Sequence, residues 1–363
     1  MTIDTSEKLD FNNVLIVPKR STLESRSQVI LEKEFVPKYG KPFSGVGIVA
    51  SNMATGTFKM LEVFSKHKMF VAIAKHNNSE WQSNITQENL DYGFYTIGMS
   101  ETELKELRDF SLLAYSKGFQ IDNIKICIDI ANGYTQKFAS FVNKVRTTFP
   151  FNVIVAGNVA TPEMVQELVI SGADYVKIGV GPGAFCTTRK MTGVGYSQIS
   201  AAILCSDAAH GLGAGIILDG GMRYPGDIAK AFCSNSDMVM IGGMLSGTDE
   251  CDGEIITRYF QSDELEWNPE AGMYIRKTIE KKYKLFYGMS SDYSQEKHFG
   301  GVKEYRASEG TVEEVEYKGP VDSIVKDILG GLRSTATYIG AKSLKDFGKC
   351  ATLIKVPYVH AKF

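Results

Sequence analysis

Eight short apolar runs, separated by longer stretches, constrain this chain more than any other feature. They lie at 45–50 (GVGIVA), 69–74 (MFVAIA), 92–97 (YGFYTI), 124–129 (IKICID), 151–156 (FNVIVA), 174–179 (DYVKIG), 214–219 (AGIILD) and 237–242 (DMVMIG). Near-continuous apolar runs suit parallel strands buried on both faces. Helical patterns fall between them, as at 136–147, 161–171, 197–211 and 225–233. Thr161-Pro162 reads as an N-cap with proline at the first helical position, and Tyr224-Pro225 repeats the pattern. Eight alternations predict an α/β chain folded as a (β/α)8 TIM barrel. A doubly wound open sheet is the other architecture with this alternation, but the GxGxxG expected after its first strand is missing. The chain has 363 residues, which one barrel with insertions accommodates, so 1–363 reads as a single domain.

The carboxyl ends of the runs carry the polar and glycine residues. They open into Ser51-Asn52, Lys75-His76, Gly98, Asp129, Gly157-Asn158, Gly179 to Cys186, Asp219-Gly220-Gly221 and Gly242-Gly243. Barrel enzymes gather their functional groups at this face. The two glycine pairs follow the seventh and eighth runs, where barrels commonly bind a phosphate on exposed backbone amides.

Past the eighth run the pattern breaks. Residues 249–283 are polar and charged, and 288–320 are rich in Gly, Ser, Glu and Lys. Such a length predicts a lid, binding loop or flap, so 249–320 reads as an insertion and mobile flap within the barrel. Helical character returns at 320–332 and 341–348.

Composition narrows the class of function. Lys+Arg 40 against Asp+Glu 42 gives a net charge of -2, with no basic excess to suggest nucleic acid or an anionic membrane as partner. No apolar run reaches the length of a membrane-spanning helix, and MTIDTSEKLD at the N-terminus lacks the pattern of a secretory signal. The six cysteines include no CxxC pair and no zinc spacing. Their scatter suggests a reducing compartment, the cytoplasm. His76 and His210 read as structural for lack of a second ligand at metal spacing.

Cys186 lies in GPGAFCTTR, flanked by Gly, Pro, Thr and Arg. These flanks suit an exposed loop, where neighbouring amides and Arg189 favour a thiolate. Buried cysteines are commoner than nucleophilic ones, and the residues alone leave both roles open. Asp129, at a strand end, is open between helix cap and ligand contact. The other cysteines fall in apolar patterns or in the insertion and read as structural.

The motifs together resemble the IMP dehydrogenase/GMP reductase family. They include LDFNNVLIVPKRST at 9–22, ASNM at 50–53, CIDIANGY at 127–134, AGNV at 156–159, GVGPGAFCTTRKMTGVGY at 179–196 and SDAAHGLG at 206–213. LDGGMRYPGDIAKA at 218–231, MIGGMLSG at 240–247, LFYGMSS at 285–291, GGVKEYRASEGTVEEVEYKGP at 300–320 and DILGGLRSTATYIGA at 327–341 complete them. The cysteine loop is specific to the family, and YGMSS with YRASEG favours its reductase branch. The paired CBS module common in the dehydrogenases is absent.

The resemblance implies an oxidoreductase of purine metabolism that converts GMP to IMP and ammonia with NADPH. It makes Cys186 the nucleophile at C2 of the purine, with Thr188 and Glu309 handling the proton of the leaving amine. It places the phosphate on Gly221, Gly242, Gly243 and Tyr305, and the ribose on Asp219. The base falls to Met289, Ser290, Arg306, Ser308 and Gly310. Lys75, Asp129, Asn158 and Arg189 lie on the cofactor side. It further implies a homotetramer and a monovalent cation, K+, on the carbonyls of Gly181, Gly183 and Cys186.

The chain departs from the family pattern in three places. Ala184 stands where a serine is usual. NMATGTF at 52–58 replaces NMDTVGTF, which puts Ala54 in place of an aspartate and drops one residue. The segment 251–280 is longer than the usual connection to YGMSS. Two alternatives accompany the reductase reading: a CBS-less IMP dehydrogenase oxidising IMP to XMP with NAD, and a nucleotide sensor without turnover. The dehydrogenase needs an Arg-Tyr pair in its flap; the flap here has none, and Arg258-Tyr259 lies in the extra segment.

Overall fold

The computed structural model describes residues 3–299 and 308–357. Its centre is a closed barrel of eight parallel strands: β1 (Ile48–Ala50), β2 (Phe70–Ile73), β3 (Gly93–Ile97), β4 (Lys125–Asp129), β5 (Ile154–Val159), β6 (Tyr175–Ile178), β7 (Gly215–Asp219) and β8 (Met238–Ile241). All eight apolar runs become barrel strands. The fifth is displaced, starting at Ile154 and including Gly157 and Asn158, because Asn152 instead ties its side chain to the carbonyls of Ile121 and Ile124. The barrel closes where β8 pairs with β1, Val239 opposite Ile48 and Ile241 opposite Ala50.

The main helices outside the flap and the loop after β6 are α1 (Phe58–Lys66), α2 (Gln87–Tyr92), α3 (Glu101–Ser116), α4 (Gln136–Thr148), α5 (Pro162–Ile170), α6 (Gln198–His210), α7 (Pro225–Cys233) and α8 (Asp322–Ile339). Pro162 and Pro225 begin their helices as the sequence suggests, although Thr161 makes no side-chain cap bond. Helix α8 runs beyond the 320–332 pattern to Ile339. Gly331 lets it cross the start of α7, since a Cβ there would stand 2.9 Å from Pro225. The 341–348 pattern becomes two short turns, Leu344–Asp346 and Phe347–Cys350.

Strand periodicity sorts the core into two layers. Ile48, Val71, Ile126, Val176, Ile216 and Val239 belong to the layer that includes the helices' apolar faces. Val49, Phe70, Phe94, Cys127, Val155, Tyr175, Ile217 and Met240 form a separate cluster within the strands. A short ladder, Lys33–Phe35 with Phe43–Gly45, adds Phe35 to it, stacked on Phe43 and edge-on to Phe70 and Tyr175. This aromatic plug sits at the amino ends of the strands and leaves the carboxyl ends for the site.

The stretch after β8 is not the loop its polarity suggests. β9 (Ile255–Asn268) and β10 (Met273–Tyr287) make a long antiparallel hairpin, and β11 (Val312–Glu316) pairs with the base of β10. Most of the hairpin is exposed on both faces, Trp267 and Tyr274 included. Only the end of β10 enters the core, through Phe286, so the alternation that marks a half-buried strand is missing along the rest of the hairpin. Residues 288–299 follow β10 and residues 308–311 lead into β11; together they are the described parts of the flap. Among the described residues no helix is long and apolar enough to cross a membrane.

Candidate active site

The period of two that places Cys127, Tyr175 and Ile217 on the inner face places Asp129, Lys177 and Asp219 on the same face, one step nearer the carboxyl ends. Asp129 and Asp219 line a cavity there with Asn158, Ser51, Asn52 and Met53. The Lys177 ammonium, on a side chain 1% exposed, bonds to Asp129 and lies 3.6 Å from Asp219. Asn158 Nδ2 donates to Asp219 at 2.8 Å and to the Gly179 carbonyl at 3.0 Å. Its Oδ1 is buried with no hydrogen-bond partner among the described residues.

These charges act on one another. Burial alone would raise the Asp129 carboxyl, but the Lys177 ammonium, with Lys75 and a bond from Asn52, holds it below its ordinary value. Asp219 stays above its ordinary value: burial outweighs the help of Lys177 and Asn158, and the Asp129 charge adds to the rise. For Lys177 burial is overcome by the carboxylates, so the amine is held protonated.

The opposite wall is the loop after β6. Cys186, partly buried, donates from Sγ to the Thr188 hydroxyl at 3.3 Å. Thr188 opens a short helix, Thr188–Thr192, and donates in turn to Glu309 Oε2 at 2.6 Å. The flap reaches this loop by backbone pairing. Thr187 N–H donates to the Glu309 carbonyl at 3.1 Å, Thr311 N–H to the Phe185 carbonyl at 3.0 Å, and Glu309 N–H to the Ser290 carbonyl at 3.2 Å. Gly288 and Gly310 make the crossing possible, since a Cβ on either would stand 3.0 Å from the other's Cα. Phe185 packs on Phe286 of β10 with ring centroids 4.7 Å apart. Thiol, hydroxyl and carboxylate thus form a hydrogen-bonded chain from a candidate nucleophile to a group that can exchange a proton.

Gly220 and Gly221 hold φ of +81° and +85°, conformations that favour glycine, and turn the chain past Asp219. Gln198 fixes this turn, its Nε2 bonding the carbonyls of Asp219 at 2.9 Å and Gly220 at 3.2 Å. Gly242 and Gly243 follow β8 at the cavity wall. Ala184 lies beside them, its Cβ 3.7 Å from where a Gly243 Cβ would stand, so a serine there would bring its hydroxyl to the glycine turn.

Of the residues singled out in the sequence, Cys186, Thr188, Glu309, Asp219, Gly221, Gly242, Gly243, Met289, Ser290, Asp129, Asn158, Gly181 and Gly183 share this cavity. Ser308 and Gly310 flank Glu309 in the flap, the Ser308 hydroxyl bonding the Gly310 carbonyl at 3.4 Å. Tyr305 and Arg306 lie outside the described residues. Lys75 is half-buried at the exit of β2, where its charge acts on Asp129. Arg189 turns away from the cavity, bonds the Tyr196 carbonyl and faces Asp10 at 3.6 Å. Its expected support of the Cys186 thiolate has no counterpart in this arrangement.

Near Ala54, Asp252 from the hairpin's approach bonds Asn77 at 3.3 Å and His76 at 3.4 Å, and its amide donates to the Ala54 carbonyl at 2.8 Å. Lys177 and Gln198 were not anticipated as site residues. A lysine within the apolar run DYVKIG is the one visible signal for Lys177; for Gln198 there is none.

The fold and this cavity define a barrel enzyme with a cysteine at the mouth of its strands. Residues 118–360 match the model of the IMP dehydrogenase / GMP reductase domain. The chain is 48% identical to GMP reductase 1 of Mus musculus over 99% of its own length and 98% of the relative's. GMP reductase 1 of Homo sapiens gives the same figures. GMP reductase of Yersinia enterocolitica is 47% identical over 98% of this chain and 97% of its own. The chain belongs to the IMP dehydrogenase/GMP reductase family.

Proposed function

We infer that the protein catalyses the NADPH-dependent reductive deamination of GMP to IMP and ammonia. The Cys186–Thr188–Glu309 chain at the cavity carries this reading, and full-length similarity to GMP reductases supports it. Cys186 adds as thiolate to C2 of the purine. The C2–N bond breaks as the Thr188 hydroxyl gives its proton to the departing amine and takes one from Glu309, which serves this step in its acid form. Splitting the exchange at a covalent purine adduct replaces one difficult displacement by two easier steps. NADPH, when bound, supplies the hydride that reduces C2 as the thiolate leaves.

The residues present fit this cofactor's nicotinamide end. The unpartnered, buried Asn158 Oδ1 suits a carboxamide N–H, and Asp129 beside it suits a hydroxyl donor. Asp219 would hold the ribose of the nucleotide, the two glycine turns its phosphate, and Met289 and Ser290 its base. A K+ on the carbonyls of Gly181, Gly183 and Cys186 belongs to the same reading. So does a homotetramer in the cytoplasm, in keeping with six free cysteines.

The oxidative alternative gains nothing from Arg258-Tyr259. Arg258 sits on the exposed hairpin and pairs with Glu314. Following NADPH absorbance with GMP, together with ammonia release, tests the reading. Rapid NAD reduction with IMP, and none of the GMP-dependent reaction, would reverse the assigned direction.

A further inference from the structure

We propose that Lys177 is a positioning residue that joins Asp129, on the cofactor side, and Asp219, on the ribose side, into one charge unit at the cavity floor, so that each subsite is set by the other. The proposal rests on the reading of Asp219 as a ribose ligand. Its basis is geometric. Asp129 is on β4 and Lys177 on β6, with β5 between them, and Gly157 of β5 pairs with both. A Cβ on Gly157 would stand 2.6 Å from the Lys177 Cβ. The missing side chain leaves the space through which the ammonium reaches Asp129, while the same ammonium lies 3.6 Å from Asp219 on β7.

Two half-buried carboxylates in one layer raise each other's pKa, and a cation between them favours ionisation of both. Lys177 is placed between them. Lys75 acts on Asp129, and the Cys127 thiol lies one inward step below, pushed up to about 12 by burial and therefore neutral. Asn52 and Asn158 complete the surroundings with hydrogen bonds to Asp129 and Asp219 respectively. A carboxylate accepts from two ribose hydroxyls most strongly while ionised, when both oxygens are acceptors and the bonds are charge-assisted. Lys177 therefore governs nucleotide binding without a place among the cavity-lining residues.

The test is calorimetric binding of GMP to the full-length protein without cofactor, between about pH 4.5 and 8. Asp129→Asn keeps Lys177 and leaves its charge to Asp219 alone. It should shift the acid-side loss of GMP affinity to lower pH although Asp129 faces the cofactor. Lys177→Met should weaken GMP by about tenfold or more near neutral pH, with the deficit shrinking as pH rises. Lys177→Met combined with Asp129→Asn removes the repulsion and should recover most of that loss, which a purely structural role for Lys177 would not. Should Lys177→Met fail to fold, the Asp129→Asn profile decides the matter. An Asp129→Asn profile superimposable on wild type would overturn the coupling, as would a double variant no better than the single one. Asp219→Ala is the control: unchanged GMP affinity there would overturn the ribose assignment itself. A loss there, with flat responses elsewhere, would overturn the coupling alone.

Discussion

The Thr188 hydroxyl is hydrogen-bonded to the Glu309 carboxyl at 2.6 Å, although 121 residues separate them. The pair exists because the flap's return strand lies against the cysteine loop, with Gly310 bridged to Cys186. Glu309→Gln removes the proton source for the departing amine and should slow GMP deamination by about 10²–10⁴-fold. Hydride transfer needs no proton at that nitrogen. IMP with NADP should therefore still give a burst of enzyme-bound NADPH, with little GMP formed on adding ammonia. Glu313→Gln, on an exposed strand, is the comparison. Equal, small effects of the two substitutions would remove Glu309 from the mechanism.

Cys186→Ala should abolish turnover while GMP still binds, since the ribose and phosphate contacts come from other loops. In the wild type a purine electrophile should label Cys186 first. Burial pushes Cys127, Cys205 and Cys233 up to about 12 and Cys251 to about 11, so these four remain thiols at neutral pH. Peptide mapping that finds Cys205 or Cys350 modified and Cys186 untouched would move the nucleophile elsewhere.

Asp219→Ala should weaken GMP binding by about 1.5–3 kcal/mol through loss of charge-assisted hydrogen bonds to the ribose. Because burial raises this carboxyl, GMP affinity of the wild type should fall on acidification at a higher pH than an ordinary aspartate would give. Titration calorimetry across pH measures both effects, and a pH-independent dissociation constant in the acid range would contradict the assignment.

His210, at the end of α6, bonds Asp237 at 2.9 Å and titrates above its ordinary value, chiefly because of that bond and against burial. A folded-state value raised above the unfolded one gives stability that is fully present below about pH 6.5 and is lost as pH rises through the folded value. His210→Gln should therefore lower Tm more at about pH 6 than at about pH 8.5. A gap that widens with pH would mean the imidazole is not held as the cation.

The barrel was legible because its strands are buried on both faces, so DMVMIG and AGIILD stand out against polar surroundings. The hairpin was not, because Tyr259, Leu265 and Trp267 are exposed and no core imposes a pattern on them. Much of the candidate site could be named through motif resemblance, but two of its parts could not. Lys177 looks like an interruption of a strand until Gly157 is seen opposite it. Arg189 looks like a partner for Cys186 until the fold aims it at Asp10 and the Tyr196 carbonyl.

The seam between β1 and β8 sets a timetable for a chain made from its N-terminus. Every barrel strand has been synthesised once Ile241 is added, but the carboxylate that serves Thr188 is still to come, beyond the whole hairpin and most of the flap. A growing chain can thus own all its barrel strands while Cys186 is already present without its acid. The strands of the barrel and the acid at its mouth are completed at two separate moments of synthesis, and the thiol precedes the group that would put it to use.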